Sequence, residues 1–260
     1  MGYSEQYKKI LHRLGYYDYQ QGLIHRHLNQ GDGWNSHLEN CRDFIIMAVK
    51  EAKPEKVTVL GSGWLLDLPL AEILDTARSV TLIDIVHPPE AHRQVSSLPG
   101  VELIEDDATG GVVSAVWEKA GKGSFLRKLS TLDNIKVPEY ELQGDPGLVI
   151  SLNILSQLDV LPSAFLKKKA RVKEEEIIAF RKLIQERHIS FLSKNRSVLI
   201  TDICEIFTDS AGKTTEVKTV IAGLPDGDMR KEWTWDFDLR RSDYYEKRSV
   251  MKVVAMILAK

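Results

Sequence analysis

Cysteine, net charge and long apolar runs are all scarce in this sequence of 260 residues. Its two cysteines, Cys41 and Cys204, are far apart and outside any metal-ligand or CxxC spacing, so we expect reduced thiols and no metal. With 35 basic and 37 acidic side chains the net charge is −2, which excludes an overall field that recruits nucleic acid or an anionic membrane. No stretch approaches the ~18 apolar residues of a membrane span. The first residues mix charged and apolar side chains, unlike a signal peptide, so we expect a soluble cytoplasmic protein.

Helix-forming patterns fill the first fifth of the chain. With 43% hydrophobic residues, the sequence is long enough for one large α/β domain. Capping patterns predict three early helices and stand at Ser4, at Asp18 with Gln21, and at Ser36 with Glu39. We predict a helical N-terminal extension over residues 1–53 and an α/β domain over residues 54–260. Inside that domain, residues 121–145 have no regular pattern and are interpreted as an insertion.

The stretch from Lys56 to Asp67, KVTVLGSGWLLD, carries the strongest sign of a ligand site. Its apolar run, bounded by charge and glycine, predicts a buried parallel strand. Gly61 and Gly63 permit a sharp turn and a close approach of the backbone to a ligand, and Pro69 suits the first turn of a following helix. A strand, a glycine-rich turn and a helix in this order are typical of the nucleotide-binding corner of an open α/β sheet.

Polar or glycine residues stand at the carboxyl ends of all five predicted parallel strands. These residues are Gly61 and Gly63, Asp84, Asp106 with Asp107, Asn153, and Asp202. Asp84 follows Gly61 by about 20 residues, the spacing at which an acid hydrogen-bonds a ribose diol. Because ligands of open α/β sheets bind outside the carboxyl ends of the strands, we predict one shared polar site. For Asp107 and Asp202 individually, a loop residue or a helix N-cap is the alternative.

The C-terminal part of the chain has a different pattern. Alternating residues around Ser210–Gly212 predict a hairpin, residues 233–237 a short strand, and Ser249 to Leu258 a last buried strand. Strands joined by loops rather than by helices predict antiparallel partners at this end of the sheet.

Together these motifs resemble the class I S-adenosylmethionine-dependent methyltransferases over residues 55 to 260. VLGSGWLLDLP is similar to the glycine motif of that superfamily, LIDI to its ribose-binding acid motif, EDDA to its adenine-contacting motif and LVISLNILSQL to its fourth-strand motif. The resemblance implies a Rossmann-like sheet, mostly parallel with antiparallel C-terminal strands, and S-adenosyl-L-methionine as cofactor. The cofactor-binding residues that it implies are Gly61, Ser62, Gly63, Trp64, Asp67, Asp84, Ile85, Asp106, Asp107, Ala108 and Asn153.

Two positions depart from the superfamily pattern. Val59 stands where an acid two residues before the first glycine is common, and Leu65 stands where a third glycine is frequent. Asp67 is a candidate for the polar role of the missing acid. After the fourth strand there is no NPPY-type motif, so methylation of an amino group on a nucleobase or glutamine is not supported.

Methyl transfer requires alignment of the acceptor, the methyl group and the sulfur, and a base only where the acceptor must lose a proton. Asn153 and Asp202 stand where they could position an acceptor. His37 is the candidate base, since imidazole titrates in the useful range, and the alternatives are His25, His27 and His87.

We therefore predict a methyltransferase acting on a small molecule, with neither a membrane nor a nucleic acid as partner. The first alternative is a catalytically degenerate protein that binds the cofactor or a nucleotide. The departures at Val59 and Leu65 are the features that favour this alternative. A dinucleotide-dependent oxidoreductase is disfavoured by Leu66, which replaces the third glycine of GxGxxG. Nucleic acid binding would rest only on Lys167–Arg171 and the basic insertion. The oligomeric state stays open, with a homodimer as one alternative.

Overall fold

The computed structural model describes residues 2–121, 129–240 and 247–258. Within these ranges, helices precede and separate the first strands, and the last strands follow one another without helices. The strands are β1 Lys56–Leu60, β2 Ser79–Asp84, β3 Val101–Glu105, β4 Leu148–Leu152, β5 Ser197–Thr208, β6 Thr214–Lys218, β7 Gly227–Asp238 and β8 Arg248–Leu258. The α-helices are α1 Glu5–Leu14, α2 Tyr16–Asn29, α3 Asn35–Ala52, α4 Leu70–Leu74, α5 Pro89–Val95, α6 Val112–Val116, α7 Val160–Lys169 and α8 Glu174–Ser193.

All the described strands belong to one mixed sheet. Seven of its eight strands follow the order β3-β2-β1-β4-β5-β8-β7, and β6 pairs with β5. Strands β1 to β5 are parallel to one another along this order, whereas β8 is antiparallel to both β5 and β7. The predicted fold class, a mostly parallel Rossmann-like sheet with antiparallel C-terminal strands, is therefore confirmed.

Helices cover both faces of the sheet. Helix α3 packs its buried side, which includes Phe44 and Ile45, against Val59 of β1 in one apolar cluster. The end of α8, with Leu192, packs on the opposite face against Val149 of β4. Strands β1 and β4 are covered on both sides, so that even their polar residues Thr58 and Ser151 are buried.

Three predicted helix starts can be compared with the structure. The Ser4 hydroxyl accepts a hydrogen bond from the Tyr7 amide at 3.2 Å, so the first predicted cap is confirmed. The second was wrong, because α2 begins at Tyr16 immediately after Gly15 and has no side-chain cap. The third was also wrong, because α3 begins at Asn35 and contains Ser36 in its first turn. Gly15 separates α1 from α2 with a left-handed backbone that ends one helix and starts the next.

The element after β1 is shorter than the sequence predicts. Helix α4 begins only after Pro69, and turns occupy most of residues 61 to 69. The glycine-rich turn is therefore followed by a further stretch of loop, not directly by a helix N-terminus.

The predicted insertion has no helix or strand over residues 129–145, where Leu132, Ile135 and Tyr140 are buried. Its basic residues Lys122, Arg127 and Lys128 lie outside the described residues. In the described parts of the chain, no helix combines the length and the apolar character that a bilayer crossing requires.

A buried ion pair ties α8 to the start of α7. Asp159 has a fully buried side chain and accepts hydrogen bonds from Arg181 at 2.5 Å and from Gln185 at 2.7 Å. Removing one partner of a buried pair leaves an uncompensated charge.

We expect Arg181→Met to lower the free energy of unfolding by about 3 kcal/mol, measured by urea denaturation. Lys167→Met is the matched control, because Lys167 pairs with Glu174 at 2.7 Å with both side chains about half exposed. Its expected effect is below about 1 kcal/mol. Equal losses in the two variants would contradict the structural role of the Asp159 pair.

Candidate functional site

The carboxyl ends of β1, β2, β3 and β4 meet at one cavity whose empty volume is about 1100 Å³, including its open side. Pockets for small ligands usually measure roughly 300–1,000 Å³, so a cofactor-sized molecule is within its capacity. The wall opposite the sheet comes from α2 and from the segment that leads into α3. Parallel pairing of β1 with β2 and with β4 brings these ends together, because Leu60 stands beside Ile83 on one side and Ser151 on the other.

The two glycines of the turn after β1 have different functions. A Cβ atom at Gly61 would lie 2.6 Å from the Leu152 carbonyl oxygen and 2.8 Å from Ile154 Cβ, and the φ angle there is +86°. Gly61 therefore permits close packing of the turn against the end of β4. At Gly63, where φ is +44°, the nearest atom to such a Cβ is the Asp84 carboxylate at 3.8 Å. The space that a side chain at position 63 would occupy is part of the cavity.

The two residues that depart from the superfamily pattern, Val59 and Leu65, lie in different surroundings. Val59 is fully buried in the core beneath the cavity. Leu65 has a φ of +61°, the left-handed conformation that glycine adopts most easily. The loop therefore keeps a glycine-like backbone at Leu65, although its residue is not glycine.

Asp84 joins the turn to the end of β2. Its carboxylate accepts a hydrogen bond from the Gly63 amide at 2.8 Å and a longer one from the Val86 amide at 3.4 Å. Burial raises the pKa of Asp84 to about 6, although these amides favour its charged form. A buried carboxylate with spare acceptor capacity is suited to binding hydroxyl groups.

The two acids after β3 differ in their contacts. The Asp107 carboxylate accepts hydrogen bonds from the Thr109 amide at 3.0 Å and the Val113 amide at 3.2 Å. Asp106 accepts a hydrogen bond from the Tyr140 hydroxyl at 2.8 Å. Both line the cavity, and Asp107 also binds the first turn of α6, whose N-cap residue is Gly111.

Aromatic rings form the opposite end of the cavity. His37 stacks on Trp235 with ring centroids 3.9 Å apart and an interplanar angle of 5°. Trp34 meets Trp235 edge to face at 4.8 Å. Burial lowers the pKa of His37 to about 3, so its ring is uncharged at neutral pH.

Both ring nitrogens of His37 face hydrogen-bond donors. The Trp233 indole N–H donates to His37 Nδ1 at 3.1 Å, and the side-chain nitrogen of Asn153 lies 3.2 Å from Nε2. Neighbouring groups therefore hold the ring on both edges, and its low pKa makes it a poor base at neutral pH. His37, Cys41 and Asp67 lie close enough together to be considered as metal ligands.

Asn153 joins the aromatic end to the turn after β1. Its φ angle is +51°, a conformation that Asn adopts more readily than most residues. The side-chain amide donates to Asp67 at 2.8 Å, while its oxygen is buried without a hydrogen-bond partner. Burial raises the pKa of Asp67. An unsatisfied buried oxygen at a cavity wall is available to a ligand.

The structure places the predicted site residues as follows. All eleven residues predicted to bind the cofactor line the cavity, and so does His37. Asp202 is not among the lining residues: it accepts a hydrogen bond from the Ser156 hydroxyl at 2.5 Å and is buried inside β5. Strand β5 continues to Thr208, so Asp202 lies within the strand and not at its end.

Of the alternative bases, His25 is exposed, whereas the His87 ring lies 2.8 Å from the Ser62 hydroxyl, outside the cavity wall. From the sequence, the aromatic residues of the N-terminal extension had two interpretations, the lining of a substrate pocket or a cover over the sheet edge. In the structure α2 lines the cavity with Tyr16, Tyr19, Gln20, Leu23 and Ile24. The spacing of three and four residues within this set is the signal that could have revealed one helix face.

No family model matches this sequence, and the curated proteins compared with it give no match either. Among solved structures, N-methyltransferase NodS from Bradyrhizobium japonicum WM9, in complex with S-adenosyl-L-homocysteine, is 10% identical with a TM-score of 0.36, over 84% of this chain and 86% of that chain. The Burkholderia thailandensis 1,6-didemethyltoxoflavin-N1-methyltransferase is 10% identical with a TM-score of 0.41, over 100% and 92% of the two chains. An S-adenosylmethionine-dependent methyltransferase from Clostridium acetobutylicum is 7% identical with a TM-score of 0.41, over 85% and 92%. At these values the fold assignment rests on the sheet of this chain and not on the similarities.

We expect Gly61→Ala to lower the free energy of unfolding by about 3 kcal/mol, because the added methyl group overlaps Leu152 and the backbone conformation is left-handed. Gly63→Ala should cost only about 1 kcal/mol, since it meets open space. Urea denaturation of both variants measures the difference. Similar losses in the free energy of unfolding would contradict the conclusion that Gly61 permits close packing whereas Gly63 leaves space in the cavity.

Proposed function

We propose that this protein is an S-adenosylmethionine-dependent methyltransferase that acts on a small acceptor molecule. The observation that carries the proposal is the convergence of Gly63, Asp84, Asp106 and Asn153 on one cavity of sufficient volume. A dinucleotide could use the same glycine turn, but Leu66 stands where its third glycine is expected.

The residues of the cavity fit the chemical groups of this cofactor. Asp84 is a hydroxyl acceptor for the ribose, and the segment from Asp106 to Ala108 provides the wall for the adenine. Asp67 is a partly buried carboxylate at the cavity wall that accepts a hydrogen bond from the Asn153 amide and keeps further acceptor capacity, which suits the ammonium group of the methionine part. The space at Gly63 would be filled by a side chain, so a glycine there leaves room for the ligand.

When bound, the cofactor supplies a methyl group on a sulfonium, and the protein contributes alignment and exclusion of water. His37 contributes a flat, uncharged ring against which an acceptor molecule can lie.

The walls disfavour an anionic acceptor. Among the described lining residues there is no lysine or arginine, so nothing there complements a phosphate or another anion. The rings of Trp34, His37 and Trp235 present flat surfaces, which suit a planar or apolar acceptor. The basic run Lys167–Arg171 lies outside this wall, so it does not support nucleic acid as the acceptor.

Titration calorimetry with S-adenosylhomocysteine tests the cofactor. We expect saturable binding to the wild-type protein and none to Gly63→Val, whose side chain would occupy the cavity. Circular dichroism of the variant verifies that it folds. Absence of heat and of any thermal shift with the wild-type protein at millimolar ligand would refute the proposal, and binding of NADH instead would favour an oxidoreductase.

The affinity for S-adenosylhomocysteine should depend on the protonation of Asp84. Its pKa of about 6 means that the carboxylate form, which accepts hydroxyl hydrogens, is lost as the pH falls through 6. We expect the dissociation constant to rise by up to about tenfold per pH unit below that value.

Asp84→Asn should bind more weakly at pH 7 and should lack this component of the pH dependence. Calorimetry between pH 5 and 8 measures both effects. An unchanged pH profile in the variant would contradict a contact between Asp84 and the ligand.

A further inference from the structure

Helix α2 covers the cavity but takes almost no part in the core. None of its 14 residues is buried, although Tyr16, Tyr19 and Leu23 line the cavity on one face. A helix with a cavity-facing apolar stripe and no buried residue gains little packing energy from the protein alone. A ligand in the cavity would therefore contribute to holding α2 in place.

Gln20 is the residue of α2 that meets the strand ends. Its side-chain amide lies 3.4 Å from the Asp84 carboxylate and 3.5 Å from the Val86 carbonyl oxygen, both at the outer limit of a hydrogen bond. Its backbone carbonyl accepts a hydrogen bond from the Trp64 indole at 3.1 Å. The helix is thus joined at a single residue to the glycine turn and to the ribose-binding acid.

The side-chain oxygen of Gln20 has no hydrogen-bond partner although it is buried. A buried acceptor without a partner costs free energy, and its position beside Asp84 on the cavity wall indicates a donor supplied by a ligand.

The available acceptors match a vicinal diol. Such a group has two hydroxyl donors. Asp84 already accepts from Gly63 on one oxygen and, weakly, from Val86 and Gln20 on the other, which leaves acceptor capacity for a hydroxyl group. The Gln20 oxygen supplies a second acceptor, and its loosely held amide can donate to a hydroxyl oxygen.

We infer that Gln20 is a cofactor-binding residue: together with Asp84 it binds the two ribose hydroxyls of the cofactor and so fixes helix α2 over the cavity. This inference rests on the proposed function and adds a contact from outside residues 55 to 260, where the superfamily resemblance lies. Under this inference α2 belongs to the cofactor site and also covers the space for the acceptor.

The test compares two probes, S-adenosylhomocysteine and its analogue without the 2′- and 3′-hydroxyls, by titration calorimetry. Gln20→Leu keeps the size of the side chain and removes its hydrogen bonds. We expect this variant to bind S-adenosylhomocysteine about tenfold more weakly, which corresponds to one hydrogen bond of about 1.4 kcal/mol. For the analogue, wild type and variant should have equal affinity, because the hydroxyls that Gln20 binds are missing.

Gln21→Leu is the matched control, since Gln21 is the exposed neighbour on the same helix and should affect neither probe. Gln20→Asn, which retains the carboxamide on a shorter side chain, should fall between wild type and Gln20→Leu. It also serves as the second variant if Gln20→Leu does not fold.

Equal weakening of both probes in Gln20→Leu would overturn the inference, because the contact would then not involve the hydroxyls. An unchanged affinity for S-adenosylhomocysteine would overturn it as well. Failure of the wild-type protein to bind S-adenosylhomocysteine would instead refute the proposed function itself, so the two failures are distinguishable.

Discussion

The hydrogen bond between the Gly63 amide and the Asp84 carboxylate is the contact on which the site depends. Parallel pairing of β1 with β2 places the glycine turn beside the end of β2, where the Gly63 N–H needs an acceptor. Asp84 is that acceptor, and it remains charged near neutral pH only because several amides offset the cost of its burial. The same carboxylate therefore shapes the turn and keeps part of its capacity for a ligand.

Charge and hydrogen bonding divide the cavity into two unlike halves. Near the strand ends, carboxylates from β2 and β3 meet backbone amides, which suits the polar groups of a nucleoside. At the other end burial keeps the His37 ring uncharged, and that ring is stacked on Trp235. A site with this asymmetry binds a polar cofactor at one end and leaves an apolar space beyond it.

The sheet was largely predictable from the sequence, because apolar runs bounded by glycine and charge mark buried strands and each run corresponds to a strand. The polar residues at the ends of these strands were also predictable, because they directly follow the apolar runs in the sequence. Asp202 was misplaced because β5 extends to Thr208 through pairing with β6 and β8, and such long-range pairing leaves no local signal. The position of Trp235 at the cavity could not be read either, since it depends on an antiparallel strand pairing across the far end of the sheet.

Helix α2 could be predicted as a helix, but the sequence could not decide whether its aromatic residues line the site or cover the sheet edge. Its propensity and spacing are local properties, whereas its placement depends on contacts with Trp64 and Asp84, more than forty residues away in the chain. Asp107 shows the reverse case: its position after β3 was clear, but only the structure shows that its carboxylate binds the first turn of α6.

The aromatic end of the cavity is built mostly from residues before β1, namely α2 and the segment from Trp34 to Leu38, whereas the nucleoside end is built from the sheet. Under the proposed function, selectivity for the acceptor is encoded mainly before β1, and the cofactor site mainly after it, with Gln20 as the exception. Exchange of the first fifty or so codons would then redirect such an enzyme to a new acceptor while its reaction stays the same, provided that the incoming segment keeps Gln20.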